Sequence, residues 1–148
     1  MSNNAVVTWD TGENAIGIYI HWNGSLTSIK AFLAYCKLKG YRKPDEDCYG
    51  LARFTQVVAN FFGGIHSIGV GLVNTFGSCD NGIYICKGWN IIGHKGNPAK
   101  EDEYSLEHFL YEINNNQPKS EQISKEKIKR FINNEMDKRN ISPLYELF

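Results

Sequence analysis

The side chains best suited to holding a ligand fall on two short stretches. Tyr49, Arg53, Gln56 and Asn60 recur at i, i+4, i+7 and i+11, which on a helix of about 100° per residue gathers them in one narrow stripe. One guanidinium, two amides and a phenol suit a polar ligand bearing a phosphate or a nucleobase. Tyr19, His21 and Asn23 alternate with Ile18, Ile20 and Trp22, so on a strand they share one face. The expectation is that the two sets are neighbours and form one mostly uncharged pocket. Arg53 would take a phosphate, and Tyr49 or Trp22 would stack on a ring. The plainer reading of each set is structural: a helix stripe satisfied by neighbouring loops, and a strand face turned to solvent.

Catalytic constellations are weaker. His21, His66, His94 and His108 lie far apart with no HxH or HExxH spacing, so neither a metal site nor a cofactor is expected. Neither Gly24-Ser25 nor Gly77-Ser78 has the GxSxG pattern of a nucleophile elbow. Cys79, in a loop, could meet a histidine base on a strand, His21 or His66, but the spacing does not single that pair out. Gly69-Val70-Gly71 lacks the third glycine of a dinucleotide fingerprint and leads into a loop. The acidic residues cluster in connectors and helices, where a solvated surface is the simpler reading.

The elements that must position these residues follow from periodicity. Residues 5–9 and 16–23 read as a β-hairpin about the turn Asp10-Thr11-Gly12-Glu13-Asn14. Residues 25–39 read as a helix capped by Ser25, with Leu26, Ile29, Phe32, Leu33 and Cys36 buried and Gly40 as its stop. Pro44 sits in the charged connector that follows. Cys48–Phe62 reads as the helix around which the domain is built, capped by Asp47 and ended by Gly63-Gly64. Apart from Arg53 it carries no charge, and Ala52, Thr55 and Ala59 would let another surface approach. Residues 65–73 read as a strand with a glycine face that another element can approach closely. Residues 82–87 and 89–94 read as a hairpin about Lys87-Gly88. Helices are expected within 101–114, capped by Asp102 or Ser105, and over 124–138. The order is ββ-αα-βββ-αα, an α+β fold with a mainly antiparallel sheet against the central helix pair. Residues 1–100 would be the core and 101–148 a helical extension packing on it or on a partner subunit.

The totals bound the class. With 148 residues, 42% hydrophobic and 13% aromatic, the chain is long enough for one filled core and is not disordered. Sixteen basic residues balance sixteen acidic ones, which argues against a duplex nucleic-acid partner. No apolar run approaches a membrane span, and the opening MSNNAVVTWD is expected to carry no signal peptide. Four cysteines without CxxC spacing read as reduced thiols, and the protein as cytoplasmic.

HWNGS (residues 21–25), AFLAYCKLKGY (31–41), YGLARFTQVVANFFGG (49–64) and DNGIY (80–84) together resemble a family of small uncharacterised proteins of bacteriophages and prophages. The resemblance covers about residues 15–94. It brings no activity with it and carries no catalytic residue onto this chain, but it implies action inside a bacterial host cell. By analogy of context, the expectation is a non-catalytic accessory protein that sequesters a nucleotide-like ligand, a counter-defence role. The alternatives are an inhibitor or assembly module on a host protein, and a small enzyme using His21. In the module reading the last helix and the apolar tail 141–148 make the contact, directly or through a homo-oligomer.

Overall fold

A computed structural model of the chain describes residues 2–141. Five strands, β1 (Ala5–Thr8), β2 (Ile16–Ile20), β3 (Ile68–Leu72), β4 (Ile83–Lys87) and β5 (Asn90–Lys95), form one sheet in the order β3-β2-β1-β4-β5. Four helices, α1 (Leu26–Lys39), α2 (Cys48–Phe62), α3 (Leu106–Asn115) and α4 (Lys125–Ile141), complete the expected α+β order. All strand pairs are antiparallel except β1 with β4, which run parallel at the centre. Every residue of β1 is buried, as a strand paired on both edges and covered on both faces must be. No helix among the described residues is long and apolar enough to cross a membrane.

The two faces of the sheet differ. Ala5, Val7, Ile18, Ile20, Tyr84 and Cys86 share the main core with the helices. Tyr19 pairs with Val6 and Gly69 and so lies on the other face. There the glycine side of β3 faces a single ring: a Cβ at Gly69 or Gly71 would stand in ordinary contact with Phe76, which stacks on Tyr19 at 5.7 Å. The close approach expected of the glycines is thus met by a loop aromatic instead of another element. Both β2 and β3 are shorter than expected, because His21 leaves the strand and residues 65–67 turn, with Ile68 N donating to the Ile65 carbonyl.

α1, buried at every position from Ala31 to Cys36, is the most enclosed helix, a place expected of α2. α3 packs along it, and Ser28, Ala31, Ala34 and Tyr35 are buried beside the expected Ile29, Phe32, Leu33 and Cys36. Its N-terminal cap also differs from expectation. Ser25 makes no capping bond; instead Asp102 reaches across 74 residues of chain and accepts from Ser28 N (3.0 Å) and Ser28 Oγ (3.0 Å). Ser105, the other cap proposed for α3, accepts from His108 N. α2 has the expected ends: Asp47 accepts from Tyr49 N and Gly50 N, and Gly63 turns left-handed at φ 74°. Leu110, Ile113, Ile123, Ile128 and Ile132 join the same core, so α3 and α4 cover the domain through shared packing. An aromatic cluster closes the other end: Trp9, Phe54 and Trp89 meet at centroid distances of 5.0, 6.1 and 6.4 Å. The tail expected to dock lies, past Ile141, outside the described residues.

These contacts set two features of the stability. In an open helix, glycine-to-alanine stabilises by about 1 kcal/mol. At Gly50, however, a Cβ would run into the backbone of Arg42 and Lys43. Gly50→Ala is therefore expected to lower the thermal midpoint, read by circular dichroism. The second concerns acid. Tyr41 Oη (2.8 Å) and Lys39 Nζ (3.2 Å) hold the Glu121 carboxyl below its usual range. Ser2 Oγ (2.7 Å) and Asn4 N (3.4 Å) do the same for Asp80. Folded values below the unfolded ones mean stability that is whole above about pH 5 and lost as pH falls through the folded values. A Glu121→Gln, Asp80→Asn double variant is expected to flatten that acid limb of the midpoint-against-pH curve.

Candidate functional site

The side chains expected to share one pocket are separated by the fold. On α2 the stripe divides in two. Its first half is exposed, and the Arg53 guanidinium sits over the rings of Tyr49 (5.7 Å) and Tyr41 (6.0 Å) while Arg42 covers Tyr49 at 5.1 Å. Its second half is held by hydrogen bonds. Gln56 Nε2 donates to Asn60 Oδ1 (2.7 Å), Asn60 Nδ2 to Gln117 Oε1 (2.9 Å), and buried Gln117 Nε2 to the Val57 carbonyl (3.0 Å). Gln56 and Asn60 also line a groove of about 720 Å³ between α2 and β3, whose other walls include Cys48, Leu51, Ala52, Thr55, Ala59, Ile65 and Val70. That groove is mostly apolar, and neither Tyr49 nor Arg53 lines it.

Tyr19 and His21 belong elsewhere. Asn4 Nδ2 donates to Tyr19 Oη (3.1 Å), and Tyr19 Oη shares a hydrogen bond with His21 Nδ1 (2.7 Å). The enzyme alternative paired His21 with Cys79 or another nucleophile, and the Cys79 arm of it is not set up here. Instead Cys79 is buried and its Sγ donates to the Gly77 carbonyl (3.6 Å). Burial, with the Asp80 charge nearby, pushes that thiol up, the opposite of the shift an activated nucleophile needs. Among the described residues, no three His, Cys, Asp or Glu side chains gather in a way that would hold a metal ion.

Asn23 opens onto a second cleft, of about 560 Å³, and there the chemistry is denser. Asn23 is the only described non-glycine residue with a positive φ, 59°. Its left-handed turn lets Gly24 come against the backbone of Asn3 and Asn4, with Gly24 N donating to the Asn3 carbonyl (2.8 Å). That turn throws Trp22 outward, leaving it 41% exposed. Opposite lies the 100–104 segment, anchored where Asp102 caps α1 and where Lys100 N donates to Asn81 Oδ1 (2.8 Å). Tyr104, 55% exposed, stacks on His108 at 4.3 Å and 19°. His108 Nε2 in turn lies 3.3 Å from Glu112 Oε1. Glu101 and Glu103 also line the cleft and have no internal partner among the described residues; Lys100 is its one lysine. The arrangement offers two exposed aromatic rings and several carboxylates around one hollow.

Of this cleft, the sequence reading had found Trp22 and Asn23 and missed Tyr104, His108, Glu101 and Glu103. An aromatic set among acids just before a helix cap, EDEYS over residues 101–105, was the available signal. No protein-family model, curated protein or solved structure matches the chain.

The hydrogen bonds separate structural from free members of the α2 stripe. Asn60→Ala strips the Oε1 of buried Gln117 of its donor and is expected to cost about 1–3 kcal/mol. Arg53→Ala, on an exposed surface, is expected to stay within about 0.5 kcal/mol. Urea denaturation of the two variants checks both.

Proposed function

We propose that the protein is a non-catalytic binding protein for a small, planar, polar ligand, held in the cleft between Trp22 and Tyr104. The observation that carries this reading is the placement of two large exposed rings on one hollow beside carboxylates that have no partner among the described residues. Exposed aromatic rings are the platform that a heterocycle stacks on, at about 1–3 kcal/mol per ring. Glu101 and Glu103 can accept from ring amino groups, and the Asn23 amide adds neutral hydrogen bonds. A phosphate on such a ligand would find Lys100 at the rim and would have to face outward, away from the carboxylates. A nucleotide-like ligand would therefore be recognised through its ring, by these donors and acceptors and not by the α2 stripe. Taken with the resemblance to phage and prophage proteins, sequestration of a signalling molecule in the host cytoplasm is the role we favour. A second reading, a protein-binding module, is favoured by the apolar groove beside α2 and not by this cleft.

Isothermal titration against nucleosides, cyclic nucleotides, ADP-ribose-type nucleotides and polyamines tests the proposal. Trp22→Ala and Tyr104→Ala are each expected to weaken binding about tenfold or more. Glu103→Gln is expected to weaken amino-bearing ligands selectively, and Arg53→Ala to leave affinity unchanged. Binding that survives the loss of both rings, or that disappears with Arg53, would place the site elsewhere.

A further inference from the structure

The two edges of the sheet are not equally guarded. β5 carries Lys95 and His94 and lies beside a bulge at Ile85/Cys86, devices that discourage another strand from adding on. β3 has none of them. From residue 67 to 73 the chain reads Ser-Ile-Gly-Val-Gly-Leu-Val, without a charge or a proline. Val70 is 60% exposed, Leu72 on the same strand is also open to solvent, and so are Ile65 just before it and Ile16 opposite Leu72 on β2.

The backbone of that edge is available for pairing. Ser67 accepts from His21 N and Val73 N donates to the Ala15 carbonyl, so the odd-numbered residues of β3 turn their backbone groups toward β2. By antiparallel alternation, Val70 turns both groups out of the sheet, Leu72 its N–H and Ile68 its carbonyl, while the Leu72 carbonyl accepts from Thr75 Oγ1 (2.6 Å). The side-chain pattern on this strand is symmetric about its middle residue: Ile68-Gly69-Val70-Gly71-Leu72.

We propose that two copies of this chain associate through β3, antiparallel about a two-fold axis at Val70, and so join their sheets into one. In that register Val70 lies opposite Val70 of the second copy, Ile68 opposite Leu72, and Gly69 opposite Gly71. Val70 N–H and C=O exchange with their counterparts, and Leu72 N–H donates to the Ile68 carbonyl. A slip of two residues keeps the hydrogen-bond parity but sets Leu72 against His66, or Ile68 against Asn74. The symmetric register is therefore preferred by side-chain matching. A self-complementary patch of this kind is what a two-fold interface requires.

The groove beside α2 belongs to the same interface. An antiparallel two-fold stands perpendicular to the sheet, so both copies keep their helices on the same side. The groove wall formed by Ala52, Thr55 and Ala59 then faces its counterpart above the paired Val70 side chains. The near absence of charge on α2 suits a surface that another copy covers. This interface lies on another element from the Trp22–Tyr104 cleft, and the two proposals stand or fall separately.

Sedimentation velocity on the full chain is expected to show a species of twice the 16.8 kDa protomer mass. Val70→Lys places a charge at the axis on an already exposed position and is expected to give monomer with an unchanged circular dichroism spectrum. In a Cys48→Ser background, Val70→Cys is expected to cross-link to itself under mild oxidation. Facing residues of a hydrogen-bonded antiparallel pair lie about 5.5 Å apart, within disulfide reach. Ile92→Cys on the β5 edge, equally exposed, is the control expected to remain monomeric. A wild-type protein that is monomeric at 100 µM would overturn the proposal. So would a dimer unaffected by Val70→Lys, or one abolished by deleting residues 142–148 while Val70→Lys leaves it intact.

Discussion

One buried amide joins the parts of the chain that sequence keeps far apart. Asn81 is fully buried just before β4, and each of its polar groups is used. Its backbone N–H donates to the Asn4 carbonyl, its Nδ2 donates to Asn3 Oδ1 and the Asn4 carbonyl, and its Oδ1 accepts from Lys100 N. Its carbonyl shares a 2.6 Å hydrogen bond with His94 Nε2. A buried amide satisfied at every position is worth more to a fold than its hydrogen bonds taken singly, because each lost partner leaves another group orphaned. Here those bonds set β4 parallel beside β1, and so place two hairpin-like halves, β1–β2–β3 and β4–β5, in one sheet. The same residue fixes the start of the 100–104 segment, from which Asp102 goes on to cap α1.

The consequences run outward from that joint. With β1 enclosed at the centre, the helices have one face of the sheet to cover, and α1 takes the innermost place with α2 and α3 around it. The segment that Asn81 and Asp102 hold is also one wall of the Trp22–Tyr104 cleft, and the Asn23-Gly24 turn against Asn3 and Asn4 is the other. The cleft is thus built where long-range contacts meet, on backbone held from several directions. That is the setting a preorganised binding site needs. The edge at β3 is the reverse case: a strand paired on one side only and carrying exposed apolar side chains.

Much of the architecture was legible from residue order because it depends on neighbours within a turn or two. Asp47 before Cys48, Gly40 and Gly63 at helix ends, and Ser105 before α3 act over four residues or fewer, and local pattern is enough to read them. The alternation in β2 likewise places Ile18 and Ile20 in the core. Reading failed where two local solutions were equally good and a distant group chose between them. Ser25 has the right chemistry to cap α1, yet the carboxylate of Asp102 wins, since a charged acceptor binding two donors outcompetes a hydroxyl binding one.

The sequence alone therefore determined the kind and order of the elements, the helix ends set by near neighbours, and the polar stripe on α2, because periodicity and capping are short-range. Only the tertiary structure decided that β1 and β4 run parallel, that α1 and not α2 is the most enclosed helix, and that Tyr19 and the α2 stripe lie on opposite faces of the sheet. It alone brought Trp22 and Tyr104 to one cleft. Each of those outcomes rests on contacts between residues dozens of positions apart, such as Asn4 with Asn81 and Ser28 with Asp102. Their geometry exists only once the chain has closed on itself.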